Sequence, residues 1–384
     1  MASTYLASKP RYEILDGLRG VAAMTVVAFH LFETYSKGPD FQIVNHGYLA
    51  VDFFFVLSGF VIGYAYDDRW DRMSLGKFFK RRLIRLHPLV ILGAVIGVLL
   101  FYFGDGPMFQ LVGQTPWWKL LLIMLLAFTM IPARPSWDIR GWSETYPLNG
   151  VTWSLMWEYI ANILYALFIR HFSKTLLIIF VCLSAFLTLD IALDWDVFGV
   201  LEGRSYAANT MIGGWSLNAE QGYIGLTRLL YPFFCGLLIS RIGKFITLRG
   251  GFWICALAVA VLLCMPCIPG GVKGTASCFN GIYNALCVLV IFPLIVMVGA
   301  GSKCTDGKSA AVCNFLGRIS YPLYITHYPL IYIQMKWTYT HIDAPVSHHI
   351  FVGVCIFILA IAISYAALRL FDEPVRRWLR EKIG

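Results

Sequence analysis

The sequence predicts an all-α fold: a polytopic integral membrane bundle of about ten transmembrane helices, with a re-entrant or interfacial segment and a cytoplasmic amphipathic helix. Three observations lead there. Hydrophobic residues make up 58% of the 384 and charged residues only 14%. Mean hydropathy is +0.68, outside the range of ordinary soluble domains. Apolar runs of spanning length recur from end to end, with no polar stretch long enough for a second soluble unit, so residues 1–384 read as a single membrane-embedded domain. On this reading the net charge of +9 is a topology signal rather than the footprint of a nucleic-acid partner.

Candidate spans lie at about 18–34, 48–66, 88–104, 117–132, 152–170, 175–193, 224–242, 252–268, 281–300, 319–336 and 348–370. The first has no small-residue cleavage site behind it and reads as a retained span. Eleven crossings would put the termini on opposite sides. Lys9 and Arg11 at one end and the tail RRWLREK at the other are both basic, however, and the positive-inside rule places both in the cytoplasm. The run at 117–132 is short and followed by Pro132, Pro135 and Pro147, so it is the one expected not to cross. Ten spans then put the basic stretches at 77–85, 170–174, 241–249 and 303–318 on the inside.

Between the second and third spans, MSLGKFFKRRLIRLHP interleaves Phe78, Phe79, Leu83 and Ile84 with Lys77, Lys80, Arg81, Arg82 and Arg85, the pattern of a basic amphipathic interfacial helix. It either anchors on lipid headgroups or lets Arg82 and Arg85, one turn apart, grip the phosphates of a cytosolic cofactor. The outer loops hold Trp137, Trp142, Trp195, Tyr206, Trp215 and Tyr223 beside Asp138, Glu144, Asp196, Glu202 and Asn209. Aromatic platforms among carboxylates suit sugar rings, and interfacial aromatic belts account for the same residues. Most of the ten cysteines lie in apolar runs as small hydrophobes. Cys267 and Cys278 flank a Gly-rich loop where a disulfide could form in an oxidising compartment. No metal-ligand spacing is present.

The stretch RYEILDGLRGVAAMTVVAFHL puts a cation and a titratable ring inside a spanning helix. Arg19 and His30 are eleven residues apart, about 20° beyond three full turns, so both project from one face, about 16 Å apart along the axis. Intramembrane ionisable groups cost on the order of 2–3 kcal/mol each and usually face a cavity or a partner. Two on one stripe suggest a lined pathway; a snorkelling arginine and a structurally satisfied histidine are the plainer alternative. Glu158, in VTWSLMWEYI, lies about two turns into a helix entering from the outer side, at a depth where it is expected to meet His30 and raise its basicity. Asp52, at the head of the second span, suits a loop cap or ion pair as well as a site. Ser58 with Gly59 suits close helix approach better than a nucleophile, since no GxSxG elbow surrounds it. ISYPLYITHYPL places Tyr321, Tyr324, His327 and Tyr328 on a helix bent by Pro322 and Pro329. His327 there is either a ligand-positioning donor or a buried structural partner.

The succession LDGLRGVAAMTVVAFH, GYLAVDFFFVLSGFVI, RRLIRLHP, WSLMWEYIANILYALF and ISYPLYITHYP resembles the membrane-bound acyltransferase family 3, integral membrane O-acyltransferases acting on extracytoplasmic glycans. The resemblance runs in order over nearly the whole chain. It implies a functional arginine–histidine pair at Arg19 and His30, acyl-CoA handling by Arg82 and Arg85, and a functional glutamate at Glu158. It implies transfer of an acyl group, by family default acetyl, from cytosolic acyl-CoA (acetyl-CoA) as co-substrate to a glycan or glycolipid hydroxyl across a bacterial cytoplasmic membrane. His30 would act as general base, aided by Glu158, with Asp52, Ser58, Tyr321, Tyr324 and His327 as substrate or oxyanion candidates. No fused SGNH-type domain is expected in this chain, which leaves free-standing acylation as the reading. The rival class is a proton-coupled transporter or flippase using the same intramembrane charges, against which stands the absence of inverted repeats.

Overall fold

A computed structural model describes residues 9–36, 42–204, 207–272 and 275–383; Tyr206 lies outside the described residues. The helices are α1 (Glu13–Glu33), α2 (Ala50–Tyr66), α3 (Leu75–Leu100), α4 (Trp117–Phe128), α5 (Thr152–Leu167), α6 (Lys174–Ala192), α7 (Ala219–Ile242), α8 (Gly251–Cys264), α9 (Cys278–Leu286), α10 (Phe292–Gly301), α11 (Gly307–Thr326), α12 (Tyr328–Thr340), α13 (Val346–Ala366) and α14 (Glu373–Ile383). Among the described residues β structure is limited to isolated bridges, Gly106 with Phe109 and Pro269 with Ala276. Among the described residues, seven helical stretches are long and apolar enough to cross a bilayer: Glu13–Glu33, Gly47–Tyr66, Leu75–Gly104, Lys174–Ala192, Ala219–Ile242, Cys278–Gly301 and Val346–Ile383. The chain is an all-helical, multi-pass membrane bundle. The sequence led to an expectation of about ten spans. The difference lies in shorter helices such as α5 (16 residues) and α12 (13 residues).

Two local expectations change. The basic segment ahead of Pro88 is not a separate interfacial helix but the first half of the continuous 26-residue α3, which carries Pro88 inside it and is capped by Ser74 Oγ accepting from Lys77 N. At about 39 Å such a helix outruns the hydrocarbon core, so its basic end reaches the interface while the same helix crosses. Cys267 and Cys278 are not joined by a disulfide. The segment singled out as non-crossing is the 12-residue α4, about 18 Å long and too short to span alone.

Two helix pairs form the tightest packing, α2 with α7 and α1 with α11. Small residues make the approach possible. A methyl group at Gly59 would overlap the Phe233 carbonyl, and one at Gly236 the Val56 carbonyl, so α2 and α7 meet backbone to backbone. At the head of the same pair, Asp52 and Arg228 form a fully buried ion pair, with Arg228 Nη2 donating to Asp52 Oδ2 at 2.7 Å and Nε to Oδ1 at 3.2 Å. Arg228 also donates to the carbonyls of Gly213 and Tyr48, so neither charge is left unmet. Along α1, Gly20 lies against Leu316 and Gly17 against Cys313, bringing α11 alongside in parallel. By contrast α13 exposes Ile350, Phe351, Val354 and Ile358, as a helix facing lipid does.

Candidate active site

The start of α1, α2 from Val51 to Val61, the first half of α3, the start of α5, α11 along its length and the turn leading into α14 surround a cavity of about 740 Å³ at the end of the bundle where α1 begins. Arg19, Arg82 and Arg85 line it, together with Ser58, Ser154, Glu158, Tyr321 and Tyr324. These helices run so that the sequence motifs meet at matching depth: Arg19 is in the second turn of α1, Arg82 and Arg85 in the second and third of α3, and Glu158 in the second of α5.

Glu158 does not meet His30 as expected. Its Oε1 accepts from Arg82 Nη2 at 2.8 Å and from Ser58 Oγ at 3.3 Å. Both helices that carry these partners pass Glu158 near the level of Arg19, roughly three helical turns below His30. Arg82 is correspondingly buried. Arg19 Nη1 donates to Asp16 Oδ1 at 2.9 Å. Arg85 forms no ion pair with a carboxylate among the described residues, and its side chain is open to the cavity. Arg82, Arg85 and Arg19 are close enough to repel one another. Three guanidiniums with one unpaired make a site for a polyanion such as a phosphate chain.

His30 occupies the last turn of α1 and is held by a residue the sequence reading passed over. Its Nδ1 lies 2.8 Å from Glu33 Oε2, one turn on along the same helix. A carboxylate accepts only, so Nδ1 carries the hydrogen and Nε2 presents its lone pair. The ring sits edge-on to Tyr328 at 4.7 Å and beside His327, with the two imidazole centroids 5.5 Å apart. The spacing signal was available: a carboxylate three residues after a helical histidine shares its face.

The lined pathway expected between Arg19 and His30 is interrupted. The cavity ends at Phe54, Ser154 and Tyr324. Beyond it the rings follow in order, Phe54 to Tyr324 at 5.4 Å, Tyr324 to His327 at 6.1 Å, and His327 to His30. Tyr324 Oη and Ser154 Oγ are 2.7 Å apart, which holds the tyrosine across the inner end. Tyr321 Oη donates to the Leu86 carbonyl at 2.6 Å and ties α11 to α3. His327 Nδ1 lies 2.9 Å from the Leu323 carbonyl, so that nitrogen is spent as a backbone donor. Asp52, occupied by Arg228, braces the scaffold and does not reach the cavity.

Above His30, several outer-loop residues turn out to build the loops themselves. Asp138 accepts from the backbone N–H groups of Arg140, Gly141 and Ser143. Glu144 accepts from Tyr332 Oη at 2.6 Å, and the guanidinium of Arg140 lies 3.5 Å from the centre of the Tyr332 ring. Burial pushes the Glu144 carboxyl up to about 7, against the opposing pull of the Tyr332 bond and Arg140. Trp137 and Trp195 remain exposed, while Tyr223 is used to bond Asp190.

Comparison with known proteins places the chain in a family. Residues 12–369 match the acyltransferase domain that defines the acyltransferase 3 family. The O-acetyltransferase OatA of Staphylococcus aureus is 24% identical over 383 residues, 96% of this chain and 58% of that protein. The peptidoglycan O-acetyltransferase OatA of Listeria monocytogenes is 34% identical over 102 residues, 26% of this chain and 15% of that protein. The protein 2 in picA locus of Rhizobium radiobacter is 32% identical over 163 residues, 41% of this chain and 81% of that protein. The chain therefore spans little more than half of the Staphylococcus relative. No solved structure matches. The family match runs from the residue before α1 to the helical turn after α13, and by it the chain belongs to the acyltransferase 3 family.

Proposed function

We propose that this chain is an O-acyltransferase that takes an acyl group, by the resemblance acetyl, from cytosolic acyl-CoA and delivers it to a hydroxyl of a glycan on the far side of a bacterial cytoplasmic membrane. Both termini lie in the cytoplasm in this reading, and the cavity opens there. The observation that carries it is an arginine-lined cavity directed along the bundle axis toward a carboxylate-held imidazole. The named activities of the two OatA relatives point the same way.

The nucleotide phosphates rest on Arg85, Arg19 and the outer edge of Arg82, and the pantetheine arm extends inward. The cavity volume is within the range that holds ligands of drug size. Tyr324 moves aside to admit the thioester. His30 Nε2 removes the proton of the acceptor hydroxyl as its oxygen attacks the thioester carbonyl carbon. Glu33 stabilises the imidazolium through Nδ1–H. A tyrosine hydroxyl, Tyr324 or Tyr328, or a backbone N–H steadies the oxyanion. When the intermediate collapses, the carbon–sulfur bond breaks and the imidazolium returns its proton to the thiolate, giving ester and free coenzyme A. Glu158 serves this reaction indirectly, by fixing Arg82 and Ser58 on the cavity wall.

The closure at Tyr324 also suits a carrier open on one side at a time. Thiol release decides between the two readings. Purified chain given acetyl-CoA and a glycan oligomer should release coenzyme A in proportion to acylated glycan, and His30→Ala should lower both by about 10²–10⁴-fold. Substrate exchange without thiol release would refute the acyltransferase reading.

A further inference from the structure

His327 is buried completely at the junction of α11 and α12, and its Nε2 has no hydrogen-bond partner among the described residues. Because a carbonyl only accepts, the bond between Nδ1 and the Leu323 oxygen fixes the hydrogen on Nδ1. The ring then offers Nε2 as an acceptor and cannot donate to an oxyanion. A buried acceptor left unmet is costly, and such atoms in native sites call for a missing partner.

A hydrogen-bond donor on a bound substrate would meet it. That donor is not the acceptor hydroxyl, whose single proton goes to His30 in the reaction above. The remaining candidate is the acyl donor: past the cavity and Tyr324 the two imidazoles lie side by side, His327 at the end of α11 level with His30 on α1. A pantetheine arm entering from the cavity carries an amide N–H three bonds before the thioester sulfur, so the two groups can face the two neighbouring rings. At about 1.5 Å per bond that amide leads the sulfur by roughly 4 Å, comparable to the 5.5 Å between the two imidazole centres.

We infer that His327 is a donor-positioning residue whose Nε2 accepts a hydrogen bond from the thioester-proximal amide N–H of the acyl donor, setting the thioester in register with His30. The inference rests on the acyl-CoA reading above and deepens it.

The test uses the reconstituted full-length chain with acetyl-CoA and with an analogue in which that amide N–H is replaced by an ester oxygen. The wild type should turn over the analogue about tenfold less efficiently, the size of one ordinary hydrogen bond, with the difference in the donor KM and transfer step and none in the acceptor KM. His327→Asn keeps a group that can bond Leu323 but has nothing at Nε2; it should use both donors equally. His327→Gln, which can place an oxygen near the Nε2 position, should recover part of the discrimination. A purely structural His327 would lower both donors together and leave their ratio intact. Equal use of the two donors by the wild type overturns the inference without needing any variant, and so does unchanged discrimination in His327→Asn. If the wild type releases no thiol from acetyl-CoA at all, the proposed function falls first and this inference with it.

Discussion

A carboxylate one turn beyond an imidazole does two things at once: it fixes the tautomer and it stabilises the charged ring once a proton arrives. Glu33 holds that position on His30. Glu33→Gln, which keeps an acceptor but no charge, should lower kcat by about tenfold to a hundredfold, less than the about 10²–10⁴ expected of His30→Ala. Glu158→Gln should act differently, raising the donor KM through a loosened Arg82 while leaving the pH profile of kcat where it was. Stopped-time thiol assays over a pH series distinguish the two. Glu144 supplies a pH effect of another kind. Its carboxyl stands at about 7 in the folded chain, above the ordinary 4.5, because it is buried. A raised acid binds more protons folded than unfolded, so the stability it contributes is complete below about 4.5 and is lost as pH rises through about 7. Thermal unfolding in detergent should show a melting temperature falling across that window, and Glu144→Gln should flatten the fall.

The α2–α7 pair depends on a different balance. Asp52 and Arg228 are both sealed from solvent, so removing one partner strands a charge. Asp52→Ala should cost about 3–5 kcal/mol, whereas replacing both residues by apolar side chains of similar volume should cost much less. Gly59→Ala should be comparably damaging through the overlap with Phe233. Melting curves of the three variants check the order. These elements also show what the sequence makes legible. Apolar runs located the helices, and the small pair Ser58–Gly59 marked the close approach, because both follow from local composition. Arg228 stands within an apolar run, but its role depends on a partner 176 positions away in the chain and is not visible locally. Glu158 was assigned the right helix and depth along that helix, but its partner is fixed by how α3 and α5 slide past each other, which no periodicity encodes. The continuity of α3 was hidden by Pro88, since a proline reads as a break while a helix packed on its neighbours tolerates one.

On the proposed function, the bundle has to keep two compartments apart while a thioester is offered across them, and that is a demand on closure as much as on chemistry. A thioester left facing water beside an activated imidazole would be hydrolysed without acylating anything. On that function, the Tyr324 ring, pinned by Ser154 between the cavity and the two histidines, stands where it would keep the donor from the imidazoles until it moves aside. Motifs far apart in the chain supply each layer of the barrier, Phe54 from α2, Ser154 from α5, and Tyr324 and His327 from α11 and its end. The sequence announced the individual residues but not the barrier, which exists only once these helices are side by side. Tyr324→Ala should therefore raise coenzyme A release in the absence of acceptor, so that the ratio of acceptor-dependent to acceptor-independent release drops several-fold. Tyr324→Phe, which keeps the ring and loses the hydroxyl with its bonds to Ser154 and the Val151 carbonyl, should fall between Tyr324→Ala and the wild type in acceptor-independent release. Proteoliposomes with acetyl-CoA on one side and glycan on the other give both rates in one assay. An unchanged ratio in Tyr324→Ala would mean that the ring does not close the path.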